Sequence, residues 1–121
     1  MRVLGFSKRW QKLSNPEFTT FRFARKDRDW EIGEQVQIVY KPRSKNREVL
    51  GVATVVGKNT RFIPPTASQK IIVNPPLVTE AEAIADGFES LATMLEWLHR
   101  TYGMWRAVLM NKLTLRKIGD W

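Results

Sequence analysis

The strong helical signal in this chain is confined to residues 79–103, with segments of strand character on both sides of it. Thr79-Glu80-Ala81-Glu82 is a capping box, in which the threonine hydroxyl accepts from the amide three residues on and Glu82 reaches back. That helix runs to about Asp86, where Gly87 supplies the left-handed residue that ends it, and Ser90 is the next cap. In the second helix Leu91, Met94, Leu95, Leu98 and Tyr102 recur on one face, Glu96 and Arg100 form an i, i+4 pair on the other, and Gly103 stops it. A doubly wound parallel sheet requires strand and helix to alternate, and here they do not. The order predicts an α+β domain with its helices segregated together.

Ahead of the helices, Val3 to Phe6 reads as a brief strand and Ser7 to Ser14 as a helical turn with Trp10 and Leu13 inward. Pro16 stops the turn. Phe18 to Phe23 then alternates, with Thr19, Phe21 and Phe23 on a greasy face and Phe18, Thr20 and Arg22 on the other. Ile32-Gly33-Glu34 is a turn, and Val36, Ile38 and Tyr40 mark a half-buried strand. A basic loop, Lys41 to Arg47, leads into an inner strand from Glu48 to about Val56, which Gly57-Lys58-Asn59 ends. Proline pairs bracket a short edge strand at Lys70 to Val73, and Ala107 to Ile118 forms the closing strand with Leu113, Leu115 and Lys117 on one side. With no internal repeat, residues 1–121 read as a single domain: a small β-barrel with two helices inserted before the closing strand.

The chain has no cysteine, which removes disulfides, thiolate metal sites and a Cys nucleophile. Its apolar runs are too short for an export signal or for the ~20 residues that cross a bilayer, so a cytoplasmic protein with no membrane partner is expected. Charge is uneven: residues 1–78 carry 15 Lys and Arg against 6 Asp and Glu, whereas residues 79–121 carry 5 against 6. A positive excess gathered on one part of a small domain concentrates polyanions, although basic residues also serve solubility.

Three pieces of sequence resemble the ASCH domain, a PUA-like family: Phe18-Thr19-Thr20-Phe21-Arg22; Trp30-Glu31-Ile32-Gly33-Glu34-Gln35-Val36; and Thr79-Glu80-Ala81-Glu82-Ala83 through Gly87-Phe88-Glu89-Ser90 to Trp97 and Tyr102-Gly103. The last is the most specific, and with Asn111 to Arg116 the likeness covers most of the chain outside Lys41 to Pro76. The resemblance implies a PUA-like barrel with a cleft between barrel and helices, proposed for RNA binding. Some members resemble small metal-free amidohydrolases of N4-acylated cytidines that use a Lys, a Thr and a carboxylate. Carried over, the Thr falls on Thr20 and the carboxylate on Asp86, but Glu17 stands where the Lys is expected, three residues before Thr20.

Deacylation needs a nucleophile, a proton carrier and an oxyanion donor; Thr20, Asp86 and Arg22 are the candidates. Arg22 is no substitute for a lysine of lowered pKa. Thr20 equally reads as a barrel hydroxyl and Asp86 as a residue that precedes a helix-ending glycine. Basic residues interleaved with rings carry the nucleic-acid reading: Arg22, Arg25 and Lys26 near Trp30, and Tyr40, Lys41, Arg43, Lys45 and Arg47 in the loop. Each tryptophan taken singly, Trp97, Trp105 and Trp121 included, reads as packing. His99 reads as a surface histidine, and no metal site or cofactor is expected because no glycine-rich phosphate loop or ligand cluster appears. The sequence thus predicts an RNA- or nucleotide-binding module whose cleft is lined by Thr20, Arg22, Tyr40, Lys41 and Asp86. A hydrolase of modified nucleosides and a domain that docks an acidic protein are the alternatives.

Overall fold

A computed structural model describes residues 1–66, 74–103, 107–119 and 121. The elements run β1 (Arg2–Phe6), a 3-10 turn (Gln11–Ser14), β2 (Glu17–Arg22), β3 (Gln35–Tyr40), β4 (Glu48–Ile63), α1 (Glu80–Asp86), α2 (Leu91–Tyr102) and β5 (Val108–Ile118). The fold is α+β, with the two helices between β4 and β5. The expected edge strand at Lys70 to Val73 and the Trp105 ring lie outside the described residues.

The strands form one mixed sheet in the order β1-β3-β4-β5-β2, in which β1 lies parallel to β3 and every other pair is antiparallel. β4 spans the sheet: its first half pairs with β3, and Val52 to Ile63 pairs with β5. The sequence led us to end this strand at Gly57-Lys58-Asn59, yet it continues to Ile63. Gly57 marks a register shift instead of a turn, and a Cβ there would lie 3.1 Å from the Thr114 side chain on β5. A second shift falls between Ile38 and Val39. Bulges of this kind bend a strand and strengthen its twist, so the sheet curls.

The curled sheet does not close into the expected barrel. β1 and β2 are its two edges, and they face one another through Phe6 and Phe18, whose ring centroids are 6.2 Å apart, without sharing a ladder. The linker between them explains the open seam. It carries the 3-10 turn and Pro16, its Leu13 packs into the core beside Phe6 and Phe18, and its Lys12 ammonium takes a β2 carbonyl, that of Thr19, at 2.7 Å.

One core lies inside the curl, around Leu4, Val36, Ile38, Val55, Leu113 and Leu115, and a second lies between sheet and helices, around Ile63, Met94, Leu95, Leu98 and Met110. β2 serves both: Phe18 enters the first and Phe21 the second, so neither face is merely greasy, and Phe23 beyond the strand is exposed. The capping box forms as the sequence predicts, with Thr79 accepting from the Glu82 amide at 3.1 Å and Glu82 from the Thr79 amide at 3.0 Å. On α2 the predicted face buries Met94, Leu95 and Leu98, while Tyr102 stays exposed at the rim. His99 is buried, not a surface residue as its flank position suggested, and it lines a hollow with Pro65 and Thr66. Among the described residues no helix is long and apolar enough to cross a membrane.

Candidate functional site

A cavity of about 790 Å³ opens along the seam between β1 and β2. Leu4, Gly5 and Phe6 line one side, Thr20, Phe21 and Arg22 the other, and Asp86, Phe88, Trp97 and Tyr102 bring in the helices. Its volume falls in the range of small-molecule sites, ~300–1,000 Å³.

The floor is polar and buried. Lys12 Nζ lies 2.5 Å from Asp86 Oδ1 and 2.7 Å from the Thr19 carbonyl oxygen, with the Lys12, Thr20 and Asp86 residues all under a tenth exposed. Arg22 Nε donates to Thr20 Oγ1 at 3.3 Å, and its guanidinium lies 4.6 Å from the Phe6 ring centroid. Thr20, Arg22 and Asp86, assigned to one site from sequence, do meet in one cavity.

Local structure explains how Asp86 reaches that floor. Asp86 is the last residue of α1, and Gly87 follows with φ +115, a left-handed conformation strained for any residue with a Cβ. A Cβ at Gly87 would also come within 2.7 Å of the Trp10 ring. The glycine therefore lets α1 end tightly under Trp10, with Asp86 turned to Lys12.

Burial pushes the Lys12 ammonium below the ordinary lysine range, although Asp86 opposes the shift. Burial likewise pushes the Asp86 carboxyl above its ordinary range, against the pull of Lys12 and Arg22. Both shifts bring the proton affinities of the pair together, so a proton moves between them at lower cost than between the free side chains. Burial also lowers the Arg22 pKa.

Lys12 is the residue that sequence reasoning missed. The lysine that the resemblance implies falls on β2 at Glu17, which is exposed and paired with Arg116 at 3.1 Å. A buried ammonium is present from the preceding 3-10 turn, five residues further back, and it reaches across the seam to Asp86. A search for any lysine upstream of Thr20 would have raised it, but its spacing from Trp10 and Leu13 carries no inward signal.

Four of the predicted cationic residues line the cavity: Arg22, Arg25, Lys41 and Arg43. Tyr40, expected in the lining, does not line it; its ring lies 5.1 Å from the Arg9 guanidinium and 5.4 Å from Lys41 Nζ. Lys26, Lys45 and Arg47 are exposed and do not line it. The rings along the helix side were not assigned to the site from sequence. Trp10 packs on Phe88 at 5.0 Å and on Trp97 at 6.4 Å, and Trp97 meets Tyr102 at 6.2 Å, all edge to face. Trp30 lines the cavity but is buried, with the Arg2 guanidinium 4.4 Å over its ring.

Charge pairing is uneven over the surface. Away from the cavity, Arg61 and Lys112 pair with Glu82, Lys58 with Asp29, Arg2 with Glu34, and Arg9 with Glu48. Asp29 also accepts from the Trp30 and Arg25 amides and from Asn111. These donors outweigh the effect of burial and hold its pKa down at about 2, fastening the segment after β2 to β4 and β5. Arg22, Lys41, Arg43, Lys45 and Arg47, by contrast, have no carboxylate at ion-pair distance among the described residues.

Comparison with family models, with characterised proteins and with solved structures finds no match to this chain.

Breaking the buried pair from one side is expected to be costly. Lys12→Met leaves Asp86 without its cation and is predicted to lose about 3–5 kcal/mol of stability, whereas Lys12→Met with Asp86→Leu recovers most of the loss. Urea denaturation of both variants checks this; equal losses in the single and double variants would contradict the pairing.

Proposed function

We propose that this is a nucleic-acid or nucleotide-binding domain whose ligand enters the seam cavity, with a base against the Trp97 and Tyr102 side and phosphate against the unpaired cations. The observation that carries the reading is the distribution of charge pairs. Arg2, Lys58, Arg61 and Lys112 on the sheet have carboxylates beside them, while Arg22, Lys41 and Arg43, which line the cavity, have none at ion-pair distance among the described residues. A polyanion supplies the missing counter-charge, and an aromatic wall beside it suits unstacked bases. We read the curled sheet as a PUA-like barrel opened along the β1–β2 seam, in keeping with the ASCH resemblance, and the partner as RNA or another single-stranded nucleic acid in the cytoplasm.

The reading predicts that fluorescence-monitored binding of short single-stranded RNA weakens steeply with salt. With roughly three to five phosphates neutralised, the slope of log K against log salt is about −2 to −3.5. Lys41→Glu with Arg43→Glu is expected to lower affinity by at least about tenfold at low salt. Charge reversal at Lys112 and Arg116, which lie outside the cavity, leaves it nearly unchanged. Equal losses at the two places would contradict the assignment.

A second reading, a metal-free amidohydrolase of N4-acylated cytidines or related modified nucleosides, is favoured by one specific observation: the buried Lys12–Asp86 pair beside Thr20. The burial that lowers the Lys12 pKa favours its neutral amine, which is able to accept a proton from the Thr20 hydroxyl, as Arg22 is not. Asp86 orients the lysine and shares its proton, and Arg22, already donating to Thr20 Oγ1, is placed to stabilise negative charge that develops there. This reading predicts release of acetate from N4-acetylcytidine, lost in Lys12→Met, Thr20→Ala and Asp86→Asn; chromatography of the products checks it, and no release by the wild type would remove it.

A further inference from the structure

The basic loop is built as more than a solvated run of charge. Lys41 has φ +49, a left-handed conformation that glycine or asparagine adopts far more readily than lysine. Hydrogen bonds on both sides hold it there: its amide donates to the Phe6 carbonyl at 2.8 Å, and its own carbonyl accepts from the Ser44 amide at 3.0 Å. Pro42 then packs so closely on β1 that a Cβ at Gly5 would lie 2.6 Å from the proline Cγ. A lysine kept in an unfavourable backbone state, on a loop locked to β1 at the mouth of a cavity, marks a side chain whose charge is wanted at that place.

Lys41 and Arg43 line the cavity from this loop, and Arg22 lines it from β2. None has a carboxylate at ion-pair distance among the described residues. An internal phosphodiester carries one negative charge, whereas a terminal phosphomonoester carries about −1.5 to −2 and offers three strong acceptor oxygens. Arginine forks and a lysine match the second group better. The cavity volume, about 790 Å³, suits one nucleotide.

We propose that the Lys41–Ser44 loop and Arg22 form a phosphate subsite that selects a terminal phosphomonoester, so that the ligand class is a nucleoside 5′-monophosphate or the 5′-phosphorylated end of a strand. This rests on the nucleotide-binding reading above and adds which part of the ligand is chosen. The loop contributes selection and positioning of the phosphate.

Isothermal titration of the whole chain with the four ribonucleosides, their 5′-monophosphates, and 5′-phosphorylated and 5′-hydroxyl RNA hexamers tests it. The expected result is that at least one monophosphate binds about tenfold or more tightly than its nucleoside, or the phosphorylated hexamer than its hydroxyl counterpart. Lys41→Gly, which suits the left-handed backbone and removes only the side chain, is expected to erase most of that ratio. Arg43→Ala provides a second variant with the same expectation. Equal binding of nucleoside and monophosphate, together with equal binding of the two hexamers, would overturn the phosphate subsite and leave the nucleotide-binding reading standing. Binding by none of the probes would overturn both. A preference for phosphate that survives in Lys41→Gly and Arg43→Ala alike would place the phosphate elsewhere and overturn the subsite alone.

Discussion

Two opposite charges withdrawn from water, Lys12 and Asp86, hold the parts of this molecule that surround its cavity. Desolvating both ions is expensive, and such a pair rarely repays a fold in stability alone. Asp86 stands, moreover, at the C-terminal end of α1, where a helix dipole disfavours a carboxylate. Its placement becomes favourable through the ammonium that reaches it from the turn between β1 and β2. The same ammonium binds the Thr19 carbonyl, so a single side chain ties α1, the turn and β2 together. Groups arranged at such cost, with their proton affinities drawn together, are what binding and catalytic sites require.

The open seam follows from the same arrangement. A closed ladder between β1 and β2 would satisfy backbone groups but would leave no space for a ligand. Here Leu13 fills the lower part of the gap from the linker, and the rest remains as the cavity. The curl that brings the two edges together comes from the bulged β4, while the loop after β3 is pinned to β1 through Phe6 and Pro42. Cations distributed along such a rim repel one another unless an anion joins them. At Arg61, Lys58 and Arg2 that anion is already present as Glu82, Asp29 and Glu34.

Much of this was legible in the residues. The capping box at Thr79, the stops at Gly87 and Gly103, and the apolar face of α2 are local signals, set by hydrogen bonds within one turn, and they read correctly. Thr20 and Asp86 were assigned to one site through a family likeness and Arg22 through the strand face it shares with Thr20, and the cavity brings them together. What failed was non-local. Gly57 reads as a turn until Thr114 of β5 is placed against it, and His99 reads as exposed on the flank of α2, where the fold buries it. Lys12 was passed over because the chain folds back on itself within a short turn, and nothing in a spacing of turn residues tells which long side chain will cross a seam. Closure of the barrel was overestimated for the related reason that strand count does not fix whether two edges pair.

The central claim is that ligand binding belongs to the β1–β2 seam and its unpaired cations. Amide chemical-shift mapping of the isotopically labelled protein, titrated with a single-stranded RNA hexamer, tests it most directly. The account predicts shifts gathered on Phe6, Thr20, Arg22, Lys41, Arg43, Trp97 and Tyr102, with Arg61, Lys112 and Arg116 unmoved. Shifts centred on Arg61, Lys112 and Arg116, or no shifts at saturating RNA, would contradict it.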